Sequence, residues 1–97
     1  MAAYVIIQVN VTDEEKYEAY KKRTPASIEK YGGRFLVRGG AQEDLEGTLE
    51  YSRIVLVEFP DVDRAKQWYN SPEYQEAKTL RADASIGIFT LVEGPHG

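Results

Sequence analysis

The chain has 97 residues and a mass of 11.0 kDa, so we expect a single domain over residues 1–97. Lys and Arg number 12 against 16 Asp and Glu, which gives a formal net charge of −4 and no basic field for binding nucleic acid. Cysteine is absent, and the single histidine, His96, lies second from the end of the sequence. We therefore expect no metal site and no cofactor.

The start of the sequence has no pattern typical of targeting or membrane insertion. Its first residues lack basic side chains, and Gln8 and Asn10 interrupt their apolar stretch. A signal peptide or a transmembrane helix needs a longer apolar run. We therefore expect a cytoplasmic protein that does not enter a membrane.

Alternating apolar residues over positions 3–11 predict a first β-strand. The odd positions form a wholly apolar face, which consists of Ala3, Val5, Ile7, Val9 and Val11. The next residues, Thr12 to Glu15, have the spacing of a capping box. Thr12 is therefore expected to cap a first helix.

The first helix is predicted from a stripe of inward residues spaced three or four positions apart. This stripe consists of Tyr17, Tyr20, Thr24, Ile28 and Tyr31. Pro25 lacks a backbone donor, so we expect the helix to kink or restart there. Gly32 is expected to end it.

Two further strands are predicted over residues 34–38 and 50–59, which are rich in β-branched and aromatic side chains. The polar stretch 39–48 would join them as an extended hairpin connection. A fourth strand is predicted over residues 86–92.

Between strands three and four, two capping patterns predict helical segments. Asp61 can cap a second helix with Ala65 and Trp68 turned inward. Ser71 followed by Pro72 predicts that the helix restarts, with the serine as cap and the proline in the first helical position.

The resulting order is βαββαβ, which predicts an α+β, ferredoxin-like protomer with an antiparallel sheet and its helices on one face. The other face should then be polar, yet strands one, three and four are apolar on both faces. Ile6, Ile54 and Ile88, for example, lie opposite other apolar residues of their strands, so both faces need cover and the helices can cover only one. We expect an identical sheet from a second copy to supply it, which makes the protein a homodimer. The sequence does not decide which face is the outer one.

Several long blocks of the sequence are similar to a family of small bacterial proteins, the domain of unknown function 1330. These blocks are YGGRFLVRGG (31–40), VLVEFPD (55–61), AKQWYNSPEYQEAKTLR (65–81) and LVEG (91–94). The resemblance implies membership of the dimeric α/β barrel superfamily, in which two ferredoxin-like sheets pair into a barrel. It implies no activity, because members of this family have no agreed function and the superfamily includes cofactor-free monooxygenases, isomerases, haem-degrading enzymes and ligand-binding regulators.

Two charged residues interrupt otherwise apolar strands. Arg38 ends strand two, and Glu58 lies near the end of strand three. They could orient an acidic or phenolic ligand, with Glu58 as a base of raised pKa. A structural ion pair, or charges that reach solvent at the strand ends, is the favoured explanation.

Aromatic residues give a second group of candidates for a ligand pocket between helices and sheet. Trp68 and Tyr74 flank the Ser71–Pro72 restart, and Tyr17 lies on the first helix. A flat ligand could stack against them, although such residues also fill ordinary cores.

Other polar residues favour structural roles. Ser71 has no histidine to act as its base and stands where a cap is needed. The acidic group around Glu43 lacks the spacing of a calcium loop and is expected to be solvated. Arg81 is expected to reach solvent, or to pair with a ligand, Glu76 or Glu73.

Two functional hypotheses remain open. The chain is either a cofactor-independent enzyme of the monooxygenase or isomerase type, acting on a small aromatic or acidic metabolite, or a non-catalytic dimer that binds a ligand or serves as a scaffold.

Overall fold

A four-stranded antiparallel sheet carries three helices in the computed structural model, which describes residues 1–95. His96 lies outside them. The elements are β1 (Ala3–Val11), α1 (Glu14–Lys30), β2 (Arg34–Arg38), β3 (Arg53–Phe59), α2 (Val62–Tyr69), α3 (Pro72–Arg81) and β4 (Ser85–Glu93). Across the sheet the strands lie in the order β2-β3-β1-β4. The predicted ferredoxin-like βαββαβ fold is confirmed, with the second helix divided into α2 and α3.

The odd residues of β1 face the helices. Ala3, Val5, Ile7 and Val9 are buried, and the even residues between them are only partly covered. Residues opposite one another in neighbouring strands share a face, so the even positions of β3 and β4 lie on the side away from the helices. We call this side the open face.

The first helix is capped by Asp13 and not by Thr12. The Asp13 side chain accepts a hydrogen bond from the Lys16 amide at 3.1 Å. The prediction was wrong by one residue because the amides of Thr12 and Asp13 both donate to the Ala84 carbonyl, at 2.7 and 3.1 Å. These bonds hold Thr12 in the turn after β1.

Pro25 lies inside α1 without interrupting it, so the predicted restart does not occur. Proline at this position deprives the Lys21 carbonyl, four residues earlier, of its helical donor. The Arg38 guanidinium replaces that donor, with Nη2 2.9 Å from the Lys21 oxygen. The helix therefore continues because a neighbouring strand satisfies its free carbonyl.

Two glycines end α1 in a Schellman motif. The Gly32 amide donates to the Glu29 carbonyl at 3.0 Å, and the Gly33 amide donates to the Ile28 carbonyl at 2.9 Å. Gly32 has a φ of 81°, as this motif requires. A Cβ on Gly33 would lie 2.6 Å from the Phe59 ring, so the chain can turn into β2 only with glycine there.

Strand β3 begins at Arg53, three residues later than predicted. The preceding segment bonds to one side chain instead of a strand: Asn10 Nδ2 donates to the Glu50 carbonyl at 2.9 Å, and Asn10 Oδ1 accepts from the Ser52 amide at 2.8 Å. Strand β4 is one residue longer at each end than predicted, because it pairs along the whole of β1.

The two later helices begin as predicted. Asp61 accepts from the Arg64 amide at 2.8 Å, and Ser71 Oγ accepts from the Tyr74 amide at 3.1 Å. Ser71 Oγ also donates to the Trp68 carbonyl at 2.7 Å, which links the end of α2 to the start of α3. This link turns the aromatic side chains of both helices onto the sheet.

Candidate ligand-binding site

A cavity of about 320 Å³ lies between α2 and the helix side of β1 and β4. Its lining residues are Val5, Ala65, Lys66, Trp68, Tyr69, Asn70, Phe89 and Leu91. The cavity exists because β4 is an edge strand whose helix side extends beyond the helices that cover the centre of the sheet. We call it the α2–β4 cavity. Its volume falls at the lower end of the range for small-molecule sites.

Aromatic rings form the wall of the α2–β4 cavity. The centroid of the Tyr69 ring lies 6.1 Å from that of Trp68 and 6.1 Å from that of Phe89, with interplanar angles of 68° and 62°. Behind them, the fully buried Tyr74 ring lies 4.3 Å from Trp68. These contacts hold the rings in fixed orientations, which suits the wall to a flat apolar ligand.

The polar groups of the cavity lie at its α2 side. Lys66 and Asn70 lie one helical turn apart at the end of α2, and the Asn70 side chain donates a hydrogen bond to the Lys66 carbonyl at 3.0 Å. The Tyr69 hydroxyl accepts a hydrogen bond from Lys78 Nζ at 3.0 Å. Among the described residues that line the cavity, Lys66 is the one with a positively charged side chain.

A buried network of hydroxyl groups supports the aromatic wall. The Tyr20 and Tyr74 hydroxyls lie 3.0 Å apart, and Arg81 Nε donates to the Tyr74 oxygen at 3.2 Å. Burial, together with the neighbouring Tyr74, raises the pKa of Tyr20 well above its usual value. Burial also raises the pKa of Tyr74, against the opposing effects of Tyr20 and Arg81. Both phenols stay protonated at neutral pH.

Arg81 makes none of the ion pairs considered for it. Glu76 pairs with Arg23, and Glu73 pairs with Lys30. The Arg81 guanidinium instead lies over the Phe89 ring, 4.5 Å from its centroid. This stacking orients one of the rings that line the α2–β4 cavity.

The structure separates the five residues predicted to form one pocket. Trp68 lines the α2–β4 cavity, and Tyr74 supports it from behind. Tyr17 and Arg38 line a narrow cleft of about 20 Å³ on the opposite side of the helix layer, beneath α1. Glu58 lies on the open face, so a single pocket that joins it to Arg38 does not form.

Glu58 pairs with Arg34 and not with Arg38. Arg34 Nε donates to Glu58 Oε1 at 2.8 Å, and Tyr4 lies opposite Glu58 on β1. Arg38 lies opposite Val55, on the helix side, because a bulge in β2 between Phe35 and Val37 shifts the register. The side chain of Glu58 keeps 24% of its surface exposed, which fits a structural ion pair.

Sequence reasoning did not identify Phe89 and Leu91 as lining residues. Both lie on the helix side of β4, opposite Ile7 and Val5. Alternation within residues 86–92 does place Phe89 and Leu91 on one face, but only the strand order shows that this face reaches past the helices. Within residues 1–95, no cluster of acidic or histidine side chains could hold a metal ion. None of the described helices is long and apolar enough to cross a membrane.

Comparison with known proteins places the chain in a family. A family model described as a domain of unknown function (DUF1330) matches residues 2–95. No curated protein matches the chain.

Solved structures share the fold at low sequence identity. A protein of unknown function from Rhodopseudomonas palustris is 18% identical, with a TM-score of 0.81 over 99% of this chain and 84% of that one. SnoaB, a cofactor-independent oxygenase from Streptomyces nogalater, is 14% identical, with a TM-score of 0.68 over 99% and 95% of the two chains. A dimeric protein of unknown function and ferredoxin-like fold from Bacteroides fragilis is 17% identical, with a TM-score of 0.56 over 96% of each chain.

Proposed function

The chain belongs to the DUF1330 family, and we propose that it is a homodimer that binds a small planar aromatic molecule in the α2–β4 cavity of each protomer. The observation that carries this proposal is the fixed aromatic wall of Tyr69 and Phe89, with the fully buried Trp68 packed against Tyr69, around a volume that suits a single ring or two fused rings. Lys66 at the α2 side offers a cation to a phenolate or a carboxylate on such a ring system. The cytoplasmic location expected from the sequence stays a prediction.

The homodimer is supported by the apolar character of the open face. Ile86, Ile88 and Val92 keep 67, 46 and 41% of their surface exposed, and Ile6 and Leu56 lie beside them. An apolar face of this kind is stabilised when a second sheet covers it. A dimeric protein with the same fold is among the solved relatives.

The reaction that suits this cavity best is a cofactor-independent oxygenation of an electron-rich phenol. The phenolate itself reduces dioxygen, one oxygen atom enters the ring to give a quinone, and the other leaves as water. The protein would orient the ring against its aromatic wall, stabilise the phenolate through Lys66 and exclude bulk water. SnoaB, which shares the fold, is a cofactor-independent oxygenase.

A non-catalytic binding role is the second candidate, and one feature of the cavity lining supports it. Among the described residues that line the cavity there is no carboxylate and no imidazole, so no ordinary general base faces the ligand. Binding without chemistry requires only the aromatic wall and Lys66.

Two measurements test these proposals. Calorimetry with 2-naphthol should show one binding event per protomer, and Leu91→Phe, which narrows the cavity, should weaken binding by roughly tenfold. Leu45→Phe, the control, makes the same substitution at an exposed loop residue and should leave the affinity for 2-naphthol unchanged. Glu58→Gln should also leave affinity unchanged, because Glu58 lies on the other face of the sheet.

An oxygen electrode then separates the two candidates. Oxygen consumption that follows binding and falls in Leu91→Phe supports the oxygenase. Saturable binding of electron-rich naphthols without oxygen consumption supports the binding protein. If 2-naphthol does not bind the parent chain at all, the proposed ligand class is wrong.

A further inference from the structure

A basic cavity on the opposite side of the helix layer belongs to none of the functions proposed above. It has a volume of about 480 Å³ and opens between α1 and the ends of β2 and β3. Its lining residues are Glu18, Lys21, Lys22, Pro25, Arg38 and Arg53. Four of these six carry a positive charge and one a negative charge, in a chain whose net charge is −4. The local excess of positive charge runs against the charge of the whole molecule.

Arg53 is the most informative residue of this basic cavity. Its Nε is buried and has no hydrogen-bond partner, and within residues 1–95 neither of its other side-chain nitrogens, Nη1 and Nη2, makes a hydrogen bond or an ion pair. Buried donors without a partner are costly, so a partly covered guanidinium with unused donors calls for an acceptor that the chain does not supply.

The chain nevertheless holds the Arg53 side chain in a defined position. Its guanidinium lies 5.8 Å from the centroid of the Tyr17 ring. On another side it contacts Gly39, where a Cβ would lie only 2.0 Å from Nη1. Gly39 has a φ of 68°, so glycine is favoured here both by the backbone and by the close approach of the guanidinium.

The other cations of the cavity differ in how far they are already neutralised. Lys21 pairs with Glu18 at 2.7 Å, and this hydrogen bond lowers the pKa of the Glu18 carboxyl from its usual value. Arg38 uses one nitrogen for the Lys21 carbonyl and keeps its remaining donors. Within the described part of the chain, neither Arg38 nor Lys22 forms an ion pair. Two guanidinium groups and one ammonium group therefore remain available around one opening.

We propose that this basic cavity binds a doubly charged oxyanion, the phosphate group of a phosphate ester or free phosphate, with Arg53 and Arg38 as its principal donors. Planar guanidinium groups bind phosphate oxygens through paired hydrogen bonds, and Arg53, Arg38 and Lys22 together carry enough positive charge to neutralise a dianion. The site is separate from the α2–β4 cavity and does not depend on an aromatic ligand being bound there.

Titration with inorganic phosphate, followed by the Nε signals of the arginines in NMR spectra, tests the proposal. Chloride should hold the ionic strength constant during the titration. We expect saturable shifts of the Arg53 and Arg38 signals, and a loss of affinity of about tenfold or more in Arg53→Gln. Arg64→Gln removes the same charge from the exposed surface of α2 and should leave phosphate affinity unchanged.

The proposal would be overturned by no saturable shift in the parent chain, by an equal loss of affinity in Arg64→Gln, or by unchanged affinity in a folded Arg53→Gln variant. Lys22→Gln alters an exposed residue that does not support the fold, and it should weaken binding even if Arg53→Gln fails to fold. Phenyl phosphate that binds more tightly than phosphate indicates a phosphate ester as the ligand, and equal affinities indicate free phosphate. Acetate that binds as tightly as phosphate contradicts a site for a dianion.

Discussion

Arg38 donates a hydrogen bond to the Lys21 carbonyl, the same carbonyl that Pro25 leaves without its helical donor. A residue of the edge strand β2 thereby completes the hydrogen bonding of α1. This relationship gives Arg38 a structural role in addition to any contact with an anion, and the two roles use different nitrogens.

The first prediction concerns this pair. Arg38→Met should lower the free energy of unfolding, and Pro25→Ala should reduce that loss because it returns an amide donor to the Lys21 carbonyl. We expect a coupling energy of about 1 kcal/mol in the double-mutant cycle, measured by urea denaturation. Additive effects of the two substitutions would show that the carbonyl does not depend on Arg38.

A second prediction follows from the buried phenol of Tyr20. Its pKa in the folded state is raised above the usual value of 10.0, so the folded state keeps its proton at a pH where the unfolded chain loses it. The stability contributed by Tyr20 is thus complete below about pH 10 and is lost as the pH rises toward the folded-state pKa. In thermal melts, Tyr20→Phe should reduce the decrease in melting temperature that the parent chain shows as the pH rises above about 10.

Tyr51→Phe serves as the control for this measurement, because the Tyr51 hydroxyl makes no hydrogen bond within residues 1–95. Its alkaline profile should match that of the parent chain. An unchanged profile in Tyr20→Phe would show that another group governs unfolding at high pH.

The third prediction treats Ser71 as a helix cap. Ser71→Ala removes the acceptor of the Tyr74 amide and should cost about 0.5–2 kcal/mol of stability while naphthol binding persists. Ser52→Ala changes an exposed serine and should stay within about 0.5 kcal/mol of the parent. Loss of binding at unchanged stability would instead make the Ser71 hydroxyl part of a ligand site.

The fourth prediction concerns the proposed dimer. Ile6→Lys or Ile54→Lys places a charge on the apolar open face, so either variant should dissociate the dimer and lower its melting temperature. Light scattering should then report the mass of one chain. Ala41→Lys adds the same charge to an exposed loop and should remain dimeric. A parent chain that is monomeric at micromolar concentration would contradict the proposal.

The sequence predicts most of the fold because local signals agree there. Alternation defines β1, and the caps Asp61 and Ser71 lie where the structure has them. The arrangement of the site is harder to predict from the sequence, because it depends on contacts between segments that are distant along the chain. The bulge in β2 puts Arg34 and Arg38 on opposite faces although both occupy even positions, so Arg34 and not Arg38 lies beside Glu58.

The same limitation applies to the continuity of α1. From the sequence, Pro25 indicates an interruption, since no local residue can replace its missing amide. The replacement comes from Arg38, 17 residues away from Lys21, through the pairing of β2 with the sheet. Such a contact is visible only once the strand order is known.

The most direct test of the central claim is the location of a bound aromatic ligand by intermolecular NOEs. With 2-naphthol bound, we predict contacts from its ring protons to the methyl groups of Val5 and Leu91 and to the Phe89 ring, all in the α2–β4 cavity. Contacts confined to Ile86 and Ile88 on the open face, or no contacts under saturating conditions, would contradict the claim that this cavity is the ligand site.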